Sequence, residues 1–181
     1  MTPKNKSRLT LLLIAVLFFG SFGIALVLHY SNWQPSQTRN HGEFVKPPIA
    51  LGGLSLRTLD GKEYPWQPGE GIWRVLVAPP SDCGQPCIDL LESLYRVWFS
   101  EGRHADALDV LWVGELPPGG AQFRRLVTIE PDAGLLAALP DRASVDALPV
   151  YVLDPSGYLV LRFAPGFDPS GLSKDLYRLI K

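Results

Sequence analysis

From Leu9 to Leu28 the chain runs for 20 residues without a charge, and 16 of these are apolar. About 20 apolar residues at 1.5 Å each cross a hydrocarbon core of about 30 Å. The run is apolar on every side, so it is not the stripe of a core helix, and it predicts a membrane anchor over residues 9–29. Residues 30–53 follow with Pro35, Pro47, Pro48, Gly42, Gly52 and Gly53 among scattered polar positions. They read as a linker. From Leu54 the apolar positions become periodic, and residues 54–181 are long enough to close one core.

Within that domain the periods alternate. Leu54–Leu59 and a segment near Tyr64 flank Asp60-Gly61, a hairpin signal. Ile72–Ala78 is a short apolar strand stopped by Pro79-Pro80. Between Pro86 and Phe99, Ile88, Leu91, Leu94, Tyr95 and Trp98 recur at helical spacing. Leu108–Val113 is the next strand, and a short helix is expected at Ala133–Leu139, within a less regular stretch from Gly119. Val150–Leu153 and Tyr158–Phe163 are strands joined by the turn Asp154-Pro155-Ser156-Gly157. Leu172, Leu176, Leu179 and Ile180 mark a closing helix that starts near Asp168-Pro169-Ser170. Alternating strand and helix favours parallel strands with a crossover, and the second half adds an antiparallel pair. The expected class is α/β, a mixed sheet with flanking helices behind one transmembrane helix.

Charge orients the anchor. Lys4, Lys6 and Arg8 precede it and the first acidic residue is Glu43. Cations stay on the cytoplasmic side, so residues 1–8 are expected there, with Tyr30 and Trp33 at the far interface. The expected location is a bacterial inner membrane with the C-terminal domain in the periplasm. A cleaved signal peptide is the competing reading, but the run exceeds the usual h-region and lacks a cleavage site. The formal net charge of −1 divides into +3 ahead of the anchor and −4 beyond it. That balance gives no support to a nucleic-acid partner held by bulk positive charge.

Two cysteines exclude a disulfide-dense scaffold and a four-cysteine zinc site. Cys83 and Cys87 lie between the Ile72–Ala78 strand and the next helix, as Cys-Gly-Gln-Pro-Cys. Free N–H groups and the dipole at a helix N-terminus favour a thiolate. Pro86 suits the first helical turn. Four residues make about one turn, so both sulfurs can face one way. Such a pair closes a small disulfide or clamps one soft ion, Cu(I) being the usual candidate. An inert local disulfide and two packing residues are the other readings. Asp82 reads as the cap of the helix that follows. Arg124, Arg125 and Glu130 read as solvated surface, and Trp66, Trp73, Trp98 and Trp112 as core and rim aromatics. Leu148-Pro149 directly precedes a strand, where proline is also allowed for ordinary reasons.

The order of elements, the anchor, the Cys83/Cys87 spacing, the turn at Asp154 and the terminal helix through Leu176 resemble thioredoxin-like proteins of the Sco/SenC type. The resemblance covers roughly Leu54 to Lys181. Those proteins are membrane-anchored and help to assemble the copper site of cytochrome c oxidase. The resemblance implies a cis-proline at Pro149 beside the cysteine pair, and oxidase subunits or assembly factors as partners. It also implies a copper-ligand histidine roughly eight residues before Asp154, where this chain has Asp146, a hard donor poorly suited to Cu(I). His29, His41 and His104 are the only histidines, and none is at that position. The expected site is therefore Cys83, Cys87 and Pro149, with Cu(I) held by the two sulfurs and a third ligand unidentified. The expected function is an oxidase assembly factor working by thiol redox or Cu(I) handling. A general periplasmic thiol–disulfide oxidoreductase and a non-catalytic scaffold of the same fold remain the alternatives.

Overall fold

Pro3–Tyr30 form one helix, α1. Its stretch Arg8–Tyr30 is long and apolar enough to cross a membrane. Ser21 does not interrupt it, because its hydroxyl donates to the Phe18 carbonyl at 2.9 Å within the helix. The computed structural model describes residues 3–31, 39–142 and 148–180. Trp33 and Asp146 lie outside the described residues. The chain divides into two compact units, Met1–Arg39 and Asn40–Lys181.

The second unit is built on six strands: β1 (Glu43–Ala50), β2 (Trp73–Val77), β3 (Leu108–Val113), β4 (Leu126–Ile129), β5 (Val150–Leu153) and β6 (Tyr158–Phe163). They lie in the order β1-β6-β5-β2-β3-β4. β2, β3 and β4 are parallel, with Val75 beside Val110 and Val110 beside Leu126. β5, β6 and β1 continue the sheet antiparallel. Helices α2 (Gln85–Ser100), α3 (Ala133–Ala138) and α4 (Pro169–Leu179) complete the unit. Asp168 starts α4, its carboxylate accepting from the Ser170 N–H at 2.9 Å ahead of Pro169.

Strand alternation divides the core in two. Val75, Val77, Val110, Trp112, Val152 and Leu161 face α2 and α4, meeting Cys87, Leu91, Leu94, Leu172 and Leu176. Leu76, Leu111, Ile129, Tyr151, Leu153 and Leu159 face the other way, onto Leu51, Leu56, Tyr64 and Leu135.

Three sequence expectations change. The expected linker over residues 30–53 contains β1, which pairs with β6 from Glu43↔Arg162 to Ala50↔Tyr158. Its prolines are tolerated because β1 is an edge strand, where one row of donors needs no partner. The compact unit therefore begins at Asn40 rather than Leu54. The irregular stretch after Gly119 hides β4, a four-residue edge strand too short to show a period. The Asp60-Gly61 turn forms, but its arms meet only in the isolated bridge Arg57↔Glu63, so no hairpin strand develops.

Candidate functional site

β2 leads through Pro79-Pro80 to Cys83, whose N–H donates to the Pro80 carbonyl at 3.3 Å. α2 then opens at Gln85, with Pro86 in its first turn and Gly84 as N-cap. This turn brings the cysteines together. Cys83 and Cys87 are joined as a disulfide, S–S 2.05 Å, with Cα atoms 5.8 Å apart. The two sulfurs differ in access. Cys87 is fully buried and packs in the α2–α4 core, whereas Cys83 is half-buried.

The expected cap is corrected. Asp82 is exposed and α2 has no side-chain cap, because the helix starts beyond Gly84 and Asp82 lies too far upstream. The first turn also carries no acidic residue, so nothing there offsets the positive end of the helix.

The cis expectation at Pro149 is corrected as well. The only cis peptide bond among the described residues is Lys46-Pro47, so Leu148-Pro149 is trans. Trans is the preferred X–Pro isomer, by about 0.5–1 kcal/mol. Pro149 is buried at the entry to β5. Continuing the pairing of Leu76 with Tyr151 brings Pro149 level with Ala78, the residue after β2. It does not line the depression at the cysteines. Leu148 lines a smaller hollow of about 300 Å³ on another face of α2, with Pro86 and Phe167.

The depression at the cysteines measures about 660 Å³ and is reached by both Cys83 and Cys87. Its other walls include Pro79-Pro80 and Ser81 after β2, the segment 112–118 at the end of β3, Pro131 after β4, and Arg142. Gly114 turns the chain at φ +93°, a conformation that favours glycine, and its N–H donates to Ile129 at 2.8 Å.

For a metal, the donor set is thin. Among the described residues no group of three or more His, Cys, Asp or Glu converges anywhere. His104 sits in the turn after α2, accepting from the Arg103 Nε at 3.0 Å, at the end of α2 away from the cysteines. His41 is occupied elsewhere. Its N–H and that of Gly42 donate to the Asp175 carboxylate at 2.6 and 3.0 Å, and its Nδ1 lies 3.2 Å from the same group. Asp175 is buried on α4, so these contacts pin the start of the unit to the last helix.

Sequence reasoning missed a second polar cluster. Arg74 on β2 is fully buried, yet charged. Its Nε donates to the Tyr64 hydroxyl at 2.8 Å, and Tyr64 donates to Asp109 at 2.6 Å. Arg125 reaches the other oxygen of Asp109 at 2.9 Å, so it is not the free surface cation its neighbour suggested. Burial, and behind it the charge of Asp109, push the Tyr64 phenol well above its ordinary pKa, which keeps its proton available to donate. A signal was present: a lone arginine inside the apolar run Trp73–Val77 must find a buried partner. The cluster sits at the start of β2, remote from the cysteines at the end.

Comparison with known proteins agrees with this architecture. The family model described as transmembrane-like, thioredoxin-like, C-terminal domain matches residues 73–181, from the first residue of β2 onward. No curated protein sequence matches the chain. Among solved structures, apo Sco1 from Thermus thermophilus has TM-score 0.54 and 14% identity, over 80% of this chain and 99% of that one. BsSco, a member of the Sco family of cytochrome c oxidase assembly proteins in which a disulfide switch is described, has TM-score 0.50 and 8% identity, over 82% and 98%. Peroxiredoxin Q from Xanthomonas campestris has TM-score 0.51 and 16% identity, over 77% and 97%. At such identities the likeness is one of fold.

Proposed function

The chain belongs to the transmembrane-like, thioredoxin-like C-terminal domain family, and from that premise we propose that it is a membrane-anchored thiol–disulfide exchange factor serving cytochrome c oxidase assembly. The observation that carries the reading is the unequal access of the two bonded sulfurs, Cys83 reachable and Cys87 buried beneath it. In the reduced protein the Cys83 thiolate attacks one sulfur of a substrate disulfide and expels the other as a thiolate. The Cys87 thiolate then attacks Cys83 and releases the second substrate sulfur. The substrate gains two electrons and two protons, and the protein is left with the Cys83–Cys87 disulfide. A dithiol donor outside this chain returns it to the reduced state.

The oxidase assignment draws on the shared fold with Sco proteins and on the N-terminal helix able to hold the domain at a membrane. The proposed placement is the periplasmic side of a bacterial inner membrane, with Lys4, Lys6 and Arg8 in the cytoplasm. When reduced, the same two sulfurs form a soft pair suited to Cu(I) as cargo.

Three measurements test the reading. Equilibration of the full chain in dithiol–disulfide buffers is expected to give a two-electron transition that Cys83→Ser abolishes. Anaerobic Cu(I) titration is expected to separate redox exchange from copper carriage: stoichiometric binding lost in Cys83→Ser assigns cargo transfer, and no binding assigns exchange. In cells, a double serine variant that still supports normal oxidase assembly would sink the proposal.

A further inference from the structure

We propose that the C-terminal half of α2 docks on the bilayer that holds α1, sinking an aromatic patch of Tyr95, Trp98, Phe99 and Phe123 into the boundary between headgroups and acyl chains. The inference rests on α1 lying in a bilayer and not on thiol exchange at Cys83. Tyr95, Trp98 and Phe99 are spaced i, i+3, i+4 and so share one face of α2. Trp98 and Phe123 pack against the core with ring centroids 5.2 Å apart, and the Trp98 Nε1 donates to the Ala105 carbonyl at 3.0 Å. Tyr95 lies 5.7 Å from Phe123 and 6.1 Å from Phe99. The rings form one patch, and it opens outward: Phe99 is 67% exposed and Tyr95 37%. Phe99 contributes little burial to the fold, and clustered apolar surface of this kind marks a docking site.

The place where the tether joins selects the occupant. Asn40, where the compact unit begins, follows closely on Ser31, the residue after α1. That length of chain reaches at most about 32 Å when fully extended. The first residues of the unit are fixed to α4, since the N–H groups of His41 and Gly42 both donate to Asp175. The side chain of His41 lies against Gly171 of the same helix, where an added Cβ would stand 2.8 Å from the His41 Cβ. α4 in turn meets α2 near its aromatic end, the hydroxyls of Ser173 and Ser100 lying 2.9 Å apart. The tether thus enters on the helix layer that carries the patch, and not on the loop-covered face of the sheet. Within that reach the bilayer is the apolar surface on hand, and tyrosine and tryptophan are the residues that favour its interface.

Charge does not select an anionic surface. Of the cations beside the patch, Arg96 is met by Glu92 and Arg124 by Asp106, while Arg103 donates to His104. Attraction by lipid charge is accordingly weak, and apolar burial is what holds the face down. From Tyr95 back to Cys87 the helix covers about 12 Å, and the cleft opens at that other end of α2. Docking by the far half of the helix therefore leaves Cys83 outside the buried patch and directs it to sulfurs near the membrane surface.

The test uses the full chain in phosphatidylcholine vesicles, with the photoreactive residue p-benzoylphenylalanine replacing Phe99 in one variant and Leu59 in another. Leu59 is an exposed residue of the loop whose Leu56 and Tyr64 cover the opposite face of the sheet. On illumination the excited ketone adds the C–H bond of whatever lies against it, and mass spectrometry separates lipid adducts from protein adducts. We expect lipid adduct at position 99 in about tenfold excess over position 59, the factor by which burying one phenyl ring favours the docked state. Adding Tyr95→Glu to the position-99 variant should lower its yield about fivefold, because a carboxylate is drawn back to water. High salt and added phosphatidylglycerol should each change the yield less than about twofold. Equal lipid adduct at the two positions overturns the docking, and so does position 99 bonding to a second copy of the chain instead of lipid. A yield that Tyr95→Glu leaves unchanged overturns the patch as its cause, and a steep loss in salt overturns the apolar footing. If alkaline carbonate strips the chain from the vesicles, α1 is no anchor and the inference falls with that premise.

Discussion

On one face of the sheet, α2 and α4 lay Leu91, Leu94, Leu172 and Leu176 over Val75, Val110 and Val152. On the other face most of the cover comes from the chain between Leu51 and Trp66, with the single turn-and-a-half of α3. That cover holds the Arg74–Tyr64–Asp109 chain of hydrogen bonds, and the guanidinium of Arg74 stacks over the Trp66 ring at 5.0 Å. Two helices bring their own backbone hydrogen bonds and need only apolar side chains to dock. A meandering loop brings unpaired polar groups and must be tied down one group at a time. In line with this, Arg74 also holds loop carbonyls, that of Ile72 at 2.9 Å and that of Pro155 at 3.3 Å. The helix face is thus closed by area, and the loop face by area together with one buried charge.

The difference is sharpest where that charge is removed. Arg74→Ala leaves Asp109 its partner Arg125 but empties a fully buried side-chain volume and takes the donors from the Tyr64 hydroxyl and the Ile72 and Pro155 carbonyls, losses that together cost about 3–5 kcal/mol. Urea unfolding of the variant should show it, and a cost below about 1 kcal/mol would mean the loop face closes by area alone. On the helix face, Leu91→Ala should cost about 2–5 kcal/mol, the ordinary price of a buried leucine and its cavity. Its expected effect is confined to stability and to the packing of Cys87, since Leu91 makes no polar contact to orphan.

The smallest expected effect is one of pH, at the end of α2. Glu101 is buried, and burial raises its carboxyl above the ordinary value. A raised acid stabilises the fold most below its unfolded pKa of about 4.3 and loses that contribution as pH rises through the folded value. Glu101→Gln should therefore gain on wild type as pH climbs from acid to neutral. Urea midpoints over that range would show the gap widening; a gap constant with pH would refute the assignment.

What the sequence makes legible follows the same division. β2, β3, β5, β6, α2 and α4 are visible because central strands and docking helices are apolar at fixed periods. β1 is hidden by Pro47 and Pro48, which mimic a linker, and β4 by its length. At the site, spacing and the strand-to-helix junction bring Cys83 and Cys87 within bonding reach, whereas their unequal burial comes from the packing of Cys87 in the α2–α4 core. The cleft does not, because its walls come from three strand ends far apart in sequence and meet only through the parallel register. Asp82 and Pro149 misled for a shared reason: a residue type favoured at a position does not fix where a helix begins or which isomer a bond takes.

Pro47 and Pro48 have one more consequence. They fall within β1, the outermost strand, where its pairing with β6 is interrupted between Phe44 and Ile49. A tether in a membrane confines copies of a chain to two dimensions and raises their local concentration, and an open strand edge is a template for the next copy. Two successive residues without an N–H break the row of donors that such a neighbour would need. The pair that disguises β1 as a linker also makes this edge of the sheet a poor template for a second copy.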